Sequence, residues 1–208
     1  LPLSAARRAL AAGGLLAAGE ALFWLPTLVL GAEVLNRFRR PKVRTGRSFA
    51  GRRVAVLGAT GGLGHAIARA LRREGAELTL LGRDAARLAA LAQDLGATTA
   101  PLDLLTPGAA EAAASSVEDL DALVCATGMD LRKPLGAHSE AELAQEVAVD
   151  LVGPMRVAWA FLPRLRPGGT LAVLGGFADG RLALPYYAPD VAARAGLAAF
   201  CTAVNQEL

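Results

Sequence analysis

Short β-branched and aliphatic runs alternate along this chain with stretches of helical spacing. The run Val54-Ala55-Val56-Leu57 predicts a strand, and the sequence after its glycine turn predicts a helix over about 62–73. A second strand is expected over 77–81. A helix over 84–95 follows, with Leu88, Leu91 and Leu95 on one face and Gly96 closing it. Strands are expected over 98–102, 120–125 and 169–174, the last after the turn Arg166-Pro167-Gly168. Ser139 and Glu142 form a capping-box pattern that opens a long helix through Trp159, and a final helix is expected over 190–208. There are no internal repeats. Strands alternating with helices predict an α/β fold, a doubly wound parallel sheet of Rossmann type with helices on both faces.

One further pattern precedes this domain. Residues 13–35 are nearly all apolar, about 22 residues and long enough to cross a bilayer. Glu20 and Pro26 interrupt the stretch, and eight Arg and Lys from Arg37 to Arg53 follow it with no acid among them. Only Arg7 and Arg8 precede it, so the positive-inside rule places the folded domain in the cytoplasm. Three readings fit this segment: a membrane span or interfacial anchor, an amphipathic helix docked on the domain or a partner subunit, and a processed targeting segment. The division is then 1–47, apolar helix and basic linker, and 48–208, nucleotide-binding domain. The chain begins with Leu1 and not Met, so its true start is expected to lie upstream.

Composition changes this picture little. With 208 residues and 53% hydrophobic content, one α/β domain plus an appendage is expected. Residues 1–53 carry ten Arg and Lys against Glu20 and Glu33, which leaves a charge of about −5 on the remainder. The basic balance therefore gives no argument for nucleic-acid binding by the fold. Cys125 and Cys201 lack metal or disulfide spacing and read as reduced and buried. His65 and His138 read as helix-start residues, and no metal site is expected.

The chemistry concentrates in Gly58-Ala59-Thr60-Gly61-Gly62-Leu63-Gly64. A strand feeding a glycine-rich turn that opens a helix suits a phosphate, because the backbone can approach closely and the helix start offers unpaired N–H groups. The spacing Gly58-x-x-x-Gly62-x-Gly64 resembles the short-chain dehydrogenase/reductase family, and the resemblance covers 52–208. It implies a dinucleotide cofactor held by Gly58, Thr60, Gly61, Gly62, Leu63 and Gly64. Gly82-Arg83 resembles the family's NADP pattern, in which a guanidinium meets the 2′-phosphate, so NADP is expected over NAD. Asp103 stands where the family contacts adenine. Cys125-Ala126-Thr127-Gly128 stands where it usually reads Asn-Asn-Ala-Gly, leaving backbone contacts from Ala126 and Gly128.

The family's carbonyl-reducing groups do not carry over. Residues 190–200 resemble its Tyr-Ser-Ala-Ser-Lys-Ala-Gly-Leu helix, with Asp190 in the tyrosine place and Arg194 in the lysine place. Asp150 takes the asparagine place and Gly175-Gly176 the serine place. Arg194 can still hold a ribose, but it cannot act as an acid or base. No residue is therefore assigned a standard catalytic role. The reading is an NADP(H)-binding protein, oxidoreductase by family, with an inactive or atypical site. Two alternatives stand beside it: an active reductase using Tyr187, Asp150 or Asp190, and a non-catalytic interaction protein with a vestigial cofactor site. The resemblance also implies two more strands after the last helix; the sequence stops at Leu208, so it reads either as a fragment or as an incomplete domain, and a homo-oligomer stays open.

Overall fold

A computed structural model describes residues 48–176 and 183–207. The apolar segment and basic linker expected within 1–47 lie outside the described residues. Among the described residues no helix is long and apolar enough to cross a membrane.

Five parallel strands form one sheet: β1 (Arg53–Leu57), β2 (Glu77–Gly82), β3 (Thr98–Pro101), β4 (Leu120–Cys125) and β5 (Leu165–Val173). Their order is β3-β2-β1-β4-β5. The chain winds outward from β1 to β3, then crosses to the other side of β1, so a crevice opens at the carboxyl ends of β1 and β4. Alternate residues of each strand feed opposite cores. Val54, Val56, Leu78 and Leu80 pack against Ala68 of α1 (Gly62–Arg73) and Leu88 and Leu91 of α2 (Ala85–Leu95). Ala55, Leu57, Leu123 and Cys125 face α3 (Ala109–Ser115) and Val157 and Phe161 of α5 (Gly153–Phe161). At the amino ends of the strands, Asp121 accepts from the Arg53 N–H, Arg52 and Arg166. Those bonds hold its carboxyl below the usual range, the Arg53 N–H contributing most.

Several elements differ from the sequence expectation. Helix α3 was not expected, because Ala-Ala-Glu-Ala-Ala-Ala-Ser carries no contrast between faces. The long helix opens on the expected capping box but divides into α4 (Glu140–Val147), a π turn at Ala148–Val152, and α5. Strand β5 starts earlier than expected. Leu165 pairs with Leu120 and Thr170 with Ala122, so the turn through Gly168 (φ 76°) is an excursion within the strand. The last helix, α6 (Ala188–Glu207), begins two residues early. Cys125 is buried as expected, whereas Cys201 is only half-buried. His65 does lie in the first turn of α1, but His138 precedes the Ser139 cap.

The contacts that seat α1 on β1 and the β1 turn on the end of β4 both depend on glycine. Gly58 has φ 78°, and a Cβ there would lie 2.7 Å from the Ala126 carbonyl oxygen. A Cβ on Gly64 would collide with the Gly58 carbonyl oxygen. Gly62, by contrast, has open space. Gly64→Ala is therefore expected to cost about 2–3 kcal/mol in a denaturant melt, whereas Gly62→Ala should stay within about 0.5 kcal/mol of the parent. Equal losses at the two positions would contradict this packing account.

Candidate functional site

The crevice at the sheet's switch point is a cleft of about 440 Å³. The Gly58–Gly61 turn floors it, and Gly61 donates its N–H back to the Gly58 carbonyl at 2.9 Å. Helix α1 starts with Gly61 as its cap and no side-chain acceptor. The first N–H groups of a helix have no partner within it. Here they make a cradle for an anion.

Of the expected binding residues, Gly58, Thr60, Gly61, Arg83, Asp103, Ala126 and Gly128 all line this cleft. Gly62 and Leu63 form the first turn of α1, with Leu63 exposed. Gly64 is buried and serves the strand–helix contact. Asp103 turns its Oδ1 to the Leu105 N–H at 3.0 Å. Arg194 lies behind Gly128 and leaves no room for a Cβ on that glycine.

The sequence reading missed Arg87. It lies in the first turn of α2, lines the same cleft, and donates to the Thr60 carbonyl at 2.9 Å. The available signal was its position: a basic residue three past the Asp84 cap, whose carboxylate accepts the Arg87 N–H. Met129, Gln145 and Val149 complete the wall beyond Gly128.

Behind that wall lies an ion cluster built from two helices. Arg194 on α6 donates to Asp150 Oδ1 at 3.0 Å, to Asp190 Oδ1 at 3.2 Å and to the Leu174 carbonyl at 3.1 Å. Asp150 sits in the π turn and also accepts the Met129 N–H at 2.9 Å, tying the cluster to the cleft wall. π turns recur at functional sites because the extra residue re-aims a side chain. Burial pushes the Asp150 carboxyl up to about 6, against the pull of Arg194 and the Met129 N–H. Burial likewise raises Glu146, whose carboxylate accepts the Leu131 N–H. Glu146, Asp150 and Asp190 each bring an oxygen within 4.8 Å of the others, and the cation already among them is the Arg194 guanidinium. Tyr187 stands just before α6 with its ring under Arg132, 4.8 Å from the guanidinium. Burial lifts the Cys125 thiol to about 12, so it is inert.

The family model for short chain dehydrogenase matches residues 52–208. The chain belongs to the short-chain dehydrogenase family. Dehydrogenase/reductase SDR family member 7B of Bos taurus is 30% identical over 173 residues, covering 74% of this chain and 53% of that protein. The very-long-chain 3-oxoacyl-CoA reductase of Aspergillus terreus is 28% identical, covering 97% of this chain and 61% of its own length. The chain thus spans a little over half the length of these relatives. Among solved structures, an alcohol dehydrogenase from the archaeon Thermococcus sibiricus, complexed with 5-hydroxy-NADP, superposes with a TM-score of 0.69 at 30% identity, covering 75% and 71% of the two chains. An actinorhodin polyketide ketoreductase with NADPH superposes equally well (TM-score 0.69) at 23% identity, covering 76% and 65%. That second likeness speaks to the fold alone.

Among the described residues, Arg194 is the cation that pairs with buried Asp150. Because the native pKa of Asp150 is raised, its ionisation costs stability, and that cost grows as pH rises from about 4 to about 6. Without Arg194 the carboxyl is pushed further up. Arg194→Met is therefore expected to lose about 3 kcal/mol at about pH 7.5 and clearly less at about pH 5. A loss independent of pH, read by denaturant melts at both values, would contradict the role given to this ion pair.

Proposed function

We propose that this short-chain dehydrogenase family member binds NADP(H) in the switch-point cleft. The observation that carries the reading is the cleft itself: a glycine floor and an uncapped helix start, and two arginines, Arg83 just after β2 and Arg87 in the first turn of α2. The first pair suits the pyrophosphate, and the arginines suit the extra 2′-phosphate. The NADP analogue bound by the archaeal relative supports the same choice. When bound, the cofactor supplies or accepts hydride. On this reading Asp103, which lines the cleft, meets the adenine end, Ala126 and Gly128 offer backbone contacts, and Arg194 supports Gly128 from behind.

We further propose that the site is atypical. A reduction of the family's usual kind needs a phenol whose proton is labile and a lysine that makes it so. The matching positions hold Asp190 and Arg194, which are bound to each other in an ion pair. Neither supplies that chemistry.

Residues 13–35 and the basic stretch behind them support anchorage of a cytoplasmic domain at a membrane surface. Pelleting of the full chain with anionic vesicles, lost when residues 1–47 are removed, is the expected outcome. Unchanged pelleting without them would refute the anchor.

For the cofactor, fluorescence titration of the full chain should give NADPH binding tighter than NADH. Arg83→Ala and Arg87→Ala should each weaken NADPH about tenfold and leave NADH unchanged. Equal affinity for the two nucleotides would overturn the choice of NADP, and binding of neither would overturn the reading as a whole.

A further inference from the structure

The cleft is built unevenly about the point where the strand order reverses. A doubly wound sheet consists of two mononucleotide-binding halves, and a dinucleotide lies across both. On the β1–β3 side the lining is continuous: the Gly58–Gly61 turn after β1, Arg83 and Arg87 after β2, and Leu104 and Leu105 after β3. The other side contributes the segment just past β4, as far as Met129, together with Gln145 and Val149. Among the described residues, none of β5 or α6 lines the cleft.

The groups at the end of β5 and the start of α6 are instead closed on one another. Arg194 donates from all three of its nitrogens, to Asp190, Asp150 and the Leu174 carbonyl, and its side chain is 9% exposed. The Lys133 N–H donates to the Tyr186 carbonyl at 3.2 Å, and Arg132 lies over the Tyr187 ring. Those two contacts strap the loop after β4 to the segment that leads into α6.

The chemistry of the built side matches one half of the nucleotide group by group. Leu104, Leu105 and Val149 are apolar and suit the face of a planar base. The start of α1, with no side-chain acceptor at its cap, offers N–H groups to a 5′-phosphate. Arg83 and Arg87 bring two cations for a 2′-phosphate, and the bond from Arg87 to the Thr60 carbonyl at 2.9 Å keeps that guanidinium at the cleft. With the base being adenine, these three groups make up adenosine 2′,5′-bisphosphate.

We propose that this site draws its affinity from the adenosine 2′,5′-bisphosphate half of the nucleotide and therefore binds NADP+ and NADPH alike. This rests on the cofactor reading above and narrows it to one half of the ligand. The two oxidation states differ only in the nicotinamide ring, and discrimination is a difference between contacts. The side chain that stands where a ribose-holding lysine would is turned inward to two carboxylates and a carbonyl, behind Gly128. A ring that the protein does not grip contributes nothing to the choice.

The test is calorimetric titration of the full chain with NADPH, NADP+, adenosine 2′,5′-bisphosphate and nicotinamide mononucleotide. The bisphosphate should bind within about tenfold of NADPH, and NADP+ within about threefold of NADPH. Nicotinamide mononucleotide should displace none of them. Arg83→Ala should weaken the bisphosphate and NADPH by the same factor, roughly tenfold. NADPH more than about tenfold tighter than the bisphosphate, or more than about threefold apart from NADP+, overturns the proposal while leaving the cofactor reading intact. Binding of none of the four overturns the cofactor reading itself, and this proposal with it, so the two failures are told apart.

Discussion

The close seating of α1 on the end of β1 is the constraint from which the rest of this domain follows. Gly64 meets the Gly58 carbonyl with no room for a Cβ, and Gly58 in turn meets Ala126 at the end of β4. Those two approaches bring three backbone segments to one point, at the place where the strand order reverses. The start of α1 is thereby held in the crevice with its cap position empty of side-chain acceptors. A larger residue at Gly64 would push α1 off the end of β1, and one at Gly58 would push the turn off the end of β4; either would disturb the cradle.

A second junction sits behind the first. Arg194 reaches from α6 to the π turn at Asp150, to Asp190 on its own helix and to the carbonyl of Leu174 after β5. Asp150 passes the connection on to Met129 in the cleft wall. Burial makes the arrangement costly, since desolvation raises Asp150 while Arg194 and a backbone N–H pull it down. Such a cluster is a poor device for stability alone, because well-packed apolar side chains would serve as well.

Much of this was legible in the residues. Strong contrast between apolar and polar positions placed β1, β2, β4, α1 and α2 close to their observed limits, and the glycine spacing located the floor of the cleft. The capping box at Ser139 marked the start of α4 because its two reciprocal bonds are a local matter. What was hidden depended on tertiary packing. Helix α3 is nearly all alanine and shows no face. The π turn leaves no mark in a sequence whose helical pattern runs on through Trp159. Strand β5 pairs across an excursion that reads locally as its beginning. Glu146 looked like an ordinary helix acid, and only the fold brings it to Asp190 from a distant segment. Arg87 was masked in the same way, since its nearness to the cleft depends on how α2 leaves β2.

The central claim is that this cleft is a dinucleotide site read by backbone at one end and by arginine at the other. A crystal structure of the full chain with NADP+ tests it most directly. The account predicts the pyrophosphate against the N–H groups at the start of α1 and the 2′-phosphate between Arg83 and Arg87. A nucleotide bound elsewhere on the domain, or one whose 2′-phosphate contacts neither arginine, would contradict it.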